Sequence, residues 1–211
     1  AQYTRAVLTT CMSLYSVRLV LKALGETDYG IYTLVAGVVA MLGFVTNAMV
    51  ITTQRHLSYS FGQHDEVQSR KTFSCSAMMH LGIGTLLVLI LIATKGLLFS
   101  HVLSIPTARI DVASWIYTTT IGMTFLSFIE APFKALFIAR ENIVYISVVE
   151  VTDGIMRLLL VILLLDGATD PLYTYGSLML GIWAVRFLLF SVWPILHYPE
   201  CSPRHFLHDL D

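Results

Sequence analysis

Charge-free apolar runs follow one another along the chain, each close to the length of a bilayer crossing. Residues 29–54 and 72–94 carry no Asp, Glu, Lys or Arg, and 112–133 carries only Glu130. About 20 helical residues cover a hydrocarbon slab of about 30 Å, so each of the three predicts a membrane-spanning helix. Three further stretches fit that length once internal charge is accepted. Residues 3–24 include Arg5, Arg18 and Lys22, residues 143–165 include Glu150, Asp153 and Arg157, and residues 172–197 include Arg186. A helix satisfies its own backbone in lipid, and the flanks of these three are polar or turn-forming, so they too read as spans. The pattern therefore predicts an all-α polytopic membrane protein built as a six-helix bundle. Between the spans, 25–28 and 166–171 are rich in Gly, Asp, Thr and Pro and predict tight turns. The segments 56–71 and 95–111 are longer and predict connections with helical pieces of their own.

Composition removes the main competitors. Of 211 residues, 56% are hydrophobic and 13% charged, too apolar for an ordinary soluble domain or a disordered chain. A formal net charge of -1 supplies no field for counterion release, so nucleic acid is not an expected partner. Six crossings nearly exhaust the length, leaving no room for a separate soluble catalytic domain. Cations sort by loop: Arg5, Arg55, Arg70, Lys71, Lys134, Arg140 and Arg204 fall on one side, against Lys22, Lys95 and Arg109 on the other. The richer side is expected to be cytoplasmic. A start at Ala1 beside an apolar run, and a polar stretch 199–211 after the sixth span, are what a lobe of a longer protein followed by a cytoplasmic linker would show.

The charges that do not sort to loops carry the chemistry. Glu150, Asp153 and Arg157 are spaced by three and four, which puts them on one face of the fifth helix. Asp153 falls about 15 Å along that helix, near the bilayer midplane, where a charge costs about 2.5–3.5 kcal/mol. Two readings remain open there: an internal Asp153–Arg157 pair that holds helices together, or the wall of an aqueous cavity with a protonatable carboxylate. Arg186 lies mid-span and needs an anionic partner, supplied by Asp153, Glu150 or an anionic substrate. Arg18 is about two turns from Gly25, so snorkelling to the interface competes with a role in the cavity. Glu130 and Lys134 bracket Pro132, and with Arg140 and Glu141 they predict a helix end at the cytoplasmic interface.

Other residue types offer less. Cys11, Cys75 and Cys201 form no metal or disulfide pattern and read as buried apolar thiols. His80 is five residues from Cys75, no metal spacing, and reads as a buried imidazole or an interhelical hydrogen bond. Gly37, Gly43, Gly82 and Gly84 are expected to permit close helix packing. No G-x-S-x-G, H-E-x-x-H or P-loop occurs, so neither catalytic residues nor a metal or cofactor are expected.

A set of short words, in order, carries a family resemblance. They are Arg18-Leu-Val-Leu, Leu24-Gly25, Asp28-Tyr29-Gly30-Ile31-Tyr32, Gly37-Val38-Val39, Thr53-Gln54-Arg55-His56-Leu57-Ser58 and Phe61-Gly62. Leu103-Ser104-Ile105-Pro106 with Arg109, Ala131-Pro132-Phe133-Lys134-Ala135, Ile138-Ala139-Arg140-Glu141 and the opening of the sixth span from Tyr173 continue the series. The sequence resembles the Wzx-like oligosaccharide flippases and polysaccharide exporters of the multidrug/oligosaccharidyl-lipid/polysaccharide superfamily. That resemblance implies two six-helix lobes around a cavity that opens alternately to either side of the bacterial inner membrane, with this chain as the N-terminal lobe and a C-terminal lobe as its partner. It also implies the substrate class, an undecaprenyl-diphosphate-linked oligosaccharide flipped during surface polysaccharide assembly. Two positions depart from the family pattern: Arg140 stands where His is expected and Lys134 where a small polar residue is commoner, both adding positive charge near the cytoplasmic mouth.

A diphosphate bearing sugars needs fixed cations and polar groups to replace its solvation, while its prenyl tail stays among membrane lipids. Arg18, Arg157, Arg186 and Lys134 are the candidate contacts for diphosphate and sugar. Glu150 and Asp153 are the candidates for coupling to an ion, proton or sodium, because protonating either releases an arginine from its pair. A multidrug/cation antiporter of the same superfamily, for which carboxylates and aromatics are expected in the cavity, is one alternative. A polytopic enzyme of polysaccharide assembly is another, and it calls for a large external loop that the sequence lacks.

Overall fold

The computed structural model describes residues 2–102, 105–165 and 170–201, and all of the regular structure among them is helical. Six long helices follow in order: α1 (Gln2–Ala40), α2 (Gly43–Gly62), α3 (Glu66–Leu97), α4 (Ile110–Ala139), α5 (Ile143–Leu165) and α6 (Pro171–His197). A π-helical turn (Leu98–Val102) closes α3, a 3-10 turn (Thr107–Arg109) precedes α4, and a second (Pro199–Cys201) follows α6. Most of the expected turn 166–171, namely 166–169, and most of the expected linker 199–211, namely 202–211, lie outside the described residues.

Local sequence explains the boundaries. Gly25 adopts φ 77° and ψ 170°, a conformation that a residue with a Cβ resists, and it splits α1 into two arms at the expected break. The second arm runs into α2 through a short turn at Met41–Leu42, so the expected span 29–54 is interrupted rather than straight. Asp65 caps α3 by accepting from the Gln68 amide at 2.9 Å, and Glu66 adds an acidic first turn. Asp170 caps α6, with Pro171 at its first position. Pro132 does not end its helix, because α4 continues to Ala139.

Four helical stretches are long and apolar enough to cross a membrane: Thr10–Gly62, Glu66–Ser100, Thr107–Ala139 and Pro171–His197. Six spans were expected. The first stretch, at 53 residues, holds the first two of them, and α5 falls outside the set because three charges lie within 23 residues. In the packing, α4 is central and touches every other long helix. Ile116, Tyr117, Phe128, Leu136 and Phe137 of α4 are fully buried. Leu86, Leu89, Ile90 and Ile92 of α3, by contrast, are exposed, as are Leu159, Ile162 and Leu163 of α5. Apolar surface of that extent is what a helix facing lipid presents.

Close packing is more selective than the glycine pattern suggests. A Cβ on Gly84 would sit 2.8 Å from the Phe128 Cβ, so α3 does approach α4 closely there. Gly37, Gly43 and Gly82 have open space around them and permit no such contact; Gly176 does, against Ile116. The cysteines also differ from expectation: Cys201 is buried, while Cys11 and Cys75 lie on outward faces of α1 and α3. Burial in an apolar setting pushes the Cys201 thiol well above its ordinary range, with the neighbouring Glu200 carboxylate adding to the effect.

Candidate functional site

A cavity of about 440 Å³ opens between α1, α5 and α6. The helical spacing in α5 brings Glu150, Asp153 and Arg157 to its wall together, and α6 contributes Arg186 from the opposite side. The Arg157 guanidinium forks onto Asp153, with Nε donating to Oδ2 at 2.8 Å and Nη2 to Oδ1 at 3.3 Å. Its position one turn beyond Asp153 allows this without distortion. Asp153 is also 3.9 Å from Nη1 of Arg186, so one carboxylate serves two arginines on neighbouring helices. Hydroxyl groups of Ser13, Ser16, Tyr29, Tyr32 and Tyr175 complete a polar lining.

The principal partner of Arg186 is Glu130, which sequence reasoning assigned to a helix end. Nε of Arg186 donates to both Glu130 oxygens at 3.1 Å, and Nη2 donates to Oε1 at 2.9 Å. Glu130 is 3% exposed. The misplacement has a physical reason: α4 passes through Pro132 and runs nine residues beyond Glu130, which sets the carboxylate about 14 Å inside the helix terminus. The useful signal was Arg186 itself, a mid-span cation that requires a buried carboxylate, together with a helical register that keeps the whole of α4 continuous. The Trp183 ring, 4.9 Å from the Arg186 guanidinium carbon, covers the pair from one side.

Lys134 reaches the group from below. Its Nζ is 3.5 Å from Glu150 Oε1, and the side chain lines a second, smaller cavity of about 190 Å³ with Glu130, Trp183 and Arg186. Glu130 and Asp153 thus join Arg157 and Arg186 in one chain of ion pairs, with the Lys134–Glu150 pair beside it, three formal charges of each sign in all. Arg18 does not join it. The residue is exposed on α1 and borders a separate recess with Tyr15, Lys22 and Glu26. Nothing in the sequence distinguished its helix face, since the first arm of α1 is apolar around most of its circumference.

Arg140 was expected to add free positive charge at the helix end. Instead it pairs with Glu200, and its guanidinium carbon lies 4.5 Å from the Tyr198 ring centroid and 5.1 Å from that of Phe61. At the other end of the bundle, Arg109 joins Asp28 at 3.0 Å and Asp170 at 3.1 Å, tying three connections together. His80 is buried as expected: Nδ1 meets its own-helix Ser76 carbonyl at 2.8 Å, and the Ser76 hydroxyl lies 2.6 Å from that of Thr53 on α2. No cluster of three metal-ligating side chains occurs among the described residues. Comparison with family models, with curated proteins and with solved structures returns no match.

Proposed function

We propose that this chain is the N-terminal, six-span lobe of a Wzx-like flippase that moves an undecaprenyl-diphosphate-linked oligosaccharide across the bacterial inner membrane by alternating access. The observation that carries the reading is the cavity in which Arg157 and Arg186 stand beside hydroxyls from α1 and α6. Two guanidiniums match a diphosphate in charge and fork geometry, and the serine and tyrosine hydroxyls match sugar. The α5 helix then counts as a span, its charges turned inward and its apolar residues outward. Both arginines are held by carboxylates, so an arriving diphosphate competes with Asp153 and Glu130 for the same donors. Protonation of Asp153 weakens that competition, protonation of Glu150 frees Lys134, and either biases the lobe between its inward and outward states. No catalytic step is assigned to the chain: it acts as a transporter.

In the full-length protein, Arg186→Lys and Arg157→Gln are expected to reduce flipping of labelled lipid-linked oligosaccharide while membrane insertion is kept. Asp153→Asn and Glu150→Gln are expected to flatten the pH dependence of transport. Unchanged pH dependence in both carboxylate variants defeats the coupling scheme. A second reading, a cation antiporter, draws on the same cavity, because Tyr29, Tyr32 and Tyr175 with two carboxylates suit an organic cation. Uptake of a labelled organic cation, with no flipping of the lipid-linked sugar, would favour that reading.

A further inference from the structure

A second large feature lies away from these charges. Between α2 and α3 runs an open groove of about 650 Å³, bounded on one helix from Phe44 to His56 and on the other from Gln68 to Ile83. The two helices are antiparallel neighbours in a hairpin, so His56, Gln68 and Lys71 gather at one end and Phe44 and Ile83 at the other. The rise from Phe44 to His56, or from Lys71 to Ile83, is about 18 Å of helix. Between the ends the walls are Val45, Ala48, Met49 and Met79. Most polar groups along this length are satisfied: Thr53 and Ser76 hydrogen bond to each other at 2.6 Å, and Thr52 donates to the carbonyl of Ala48 at 2.9 Å, while the buried His80 Nε2 has no partner. An apolar trough with a cation at one end has the shape of an amphiphile.

We infer that this groove is a resident site for an anionic membrane phospholipid, its phosphate against Lys71 and His56 and one acyl chain along the α2–α3 trough. Length separates this occupant from a protein helix. The groove matches the hydrocarbon depth of one leaflet, about 15 Å, whereas a helix of a second copy or another lobe would need a track along the full crossing of about 30 Å. The trough ends at Phe44, two residues after the Met41–Leu42 turn, and has no continuation. Charge gives the choice of headgroup, since Lys71 lies at the mouth of the groove. The site is separate from the Arg157–Arg186 cavity and does not depend on what that cavity transports.

Cys75 is an exposed thiol on the groove wall and reports occupancy directly. In the full chain carrying Cys11→Ser, purified in mild detergent, the rate of Cys75 alkylation is measured while phosphatidylglycerol, phosphatidylcholine of the same acyl chains, or glycerol 3-phosphate is added. Phosphatidylglycerol is expected to slow alkylation at concentrations where the other two do not. Lys71→Gln is expected to raise the concentration required by about fivefold, the share of one lysine. Ala48→Trp fills the trough and is expected to abolish protection by lipid with an unchanged helical circular dichroism spectrum. Equal protection by phosphatidylcholine, protection by glycerol 3-phosphate alone, or full protection in Ala48→Trp each overturns the proposal. So does a stable dimer in which Cys75 is shielded without added lipid.

Discussion

Two arginines in this protein each hold two carboxylates, and they differ in nearly everything else. Arg109 joins Asp28 and Asp170 at one end of the bundle, where the arginine and Asp170 side chains are each 36% exposed. Arg186 joins Glu130 and Asp153 inside the bundle, where the arginine is 15% exposed and Glu130 4%. The outer clamp binds connections that already lie near one another, and water can serve Arg109 and Asp170, while the Asp28 side chain, 7% exposed, depends on the arginine. In the inner network, Glu130 lacks that recourse altogether, and Arg186 and Asp153 reach no more than the cavity they line. The same pair chemistry is therefore a fastener at the end of the bundle and, in its interior, a set of charges that must remain mutually satisfied or exchange partners together.

The largest expected effect tests the inner half of this contrast. Glu130→Ala leaves Arg186 with only the longer contact to Asp153, and a loss of about 3–5 kcal/mol in stability is expected, read as a fall in folded yield and melting temperature in nanodiscs. A paired change, Glu130→Leu with Arg186→Met, removes both charges and is expected to recover most of that loss while transport is abolished. If the double variant is as unstable as Glu130→Ala, packing rather than unpaired charge is responsible, and the contrast collapses. Next in size is Arg109→Gln at the outer clamp, which takes the cation from the buried Asp28 and is expected to cost about 1–3 kcal/mol in the same melting assay. Smallest is the response to salt. Raising ionic strength from about 0.05 to 0.5 M is expected to erase most of the difference between wild type and Arg109→Gln, and to leave that between wild type and Glu130→Ala nearly unchanged.

The two networks also differed in how far they could be read from sequence. Spacings of three and four announced that Glu150, Asp153 and Arg157 share a face, because helical periodicity is a local property. The depth of Arg186 was equally plain, since a cation amid Trp183, Val185, Phe187 and Leu188 has no short route to water. Its partner was hidden because proline suggested an end to a helix that packing on five others keeps continuous. The Arg109 clamp was hidden for a different reason: its members are 61 and 81 residues apart, and only the folded arrangement of three connections brings them together. Arg18 shows the complementary limit. In a helix apolar on nearly every side, the pattern that would assign one residue to the cavity and another to lipid is absent. Counting crossings met the same difficulty from the other direction, since α5 hides its apolar length behind the charges that make it interesting.

The separation of Glu130 from Arg186 has a consequence for biosynthesis. The two residues are 56 positions apart, so the carboxylate leaves the ribosome about 3–11 s before its partner at ordinary rates of synthesis. During that interval α4 and α5 exist without α6, and Glu130 has no guanidinium to meet. A chain inserting in strict order would commit a bare carboxylate to lipid. Holding α4 at the edge of the insertion machinery until α6 emerges avoids that state, which makes α6 the timer for the entry of α4.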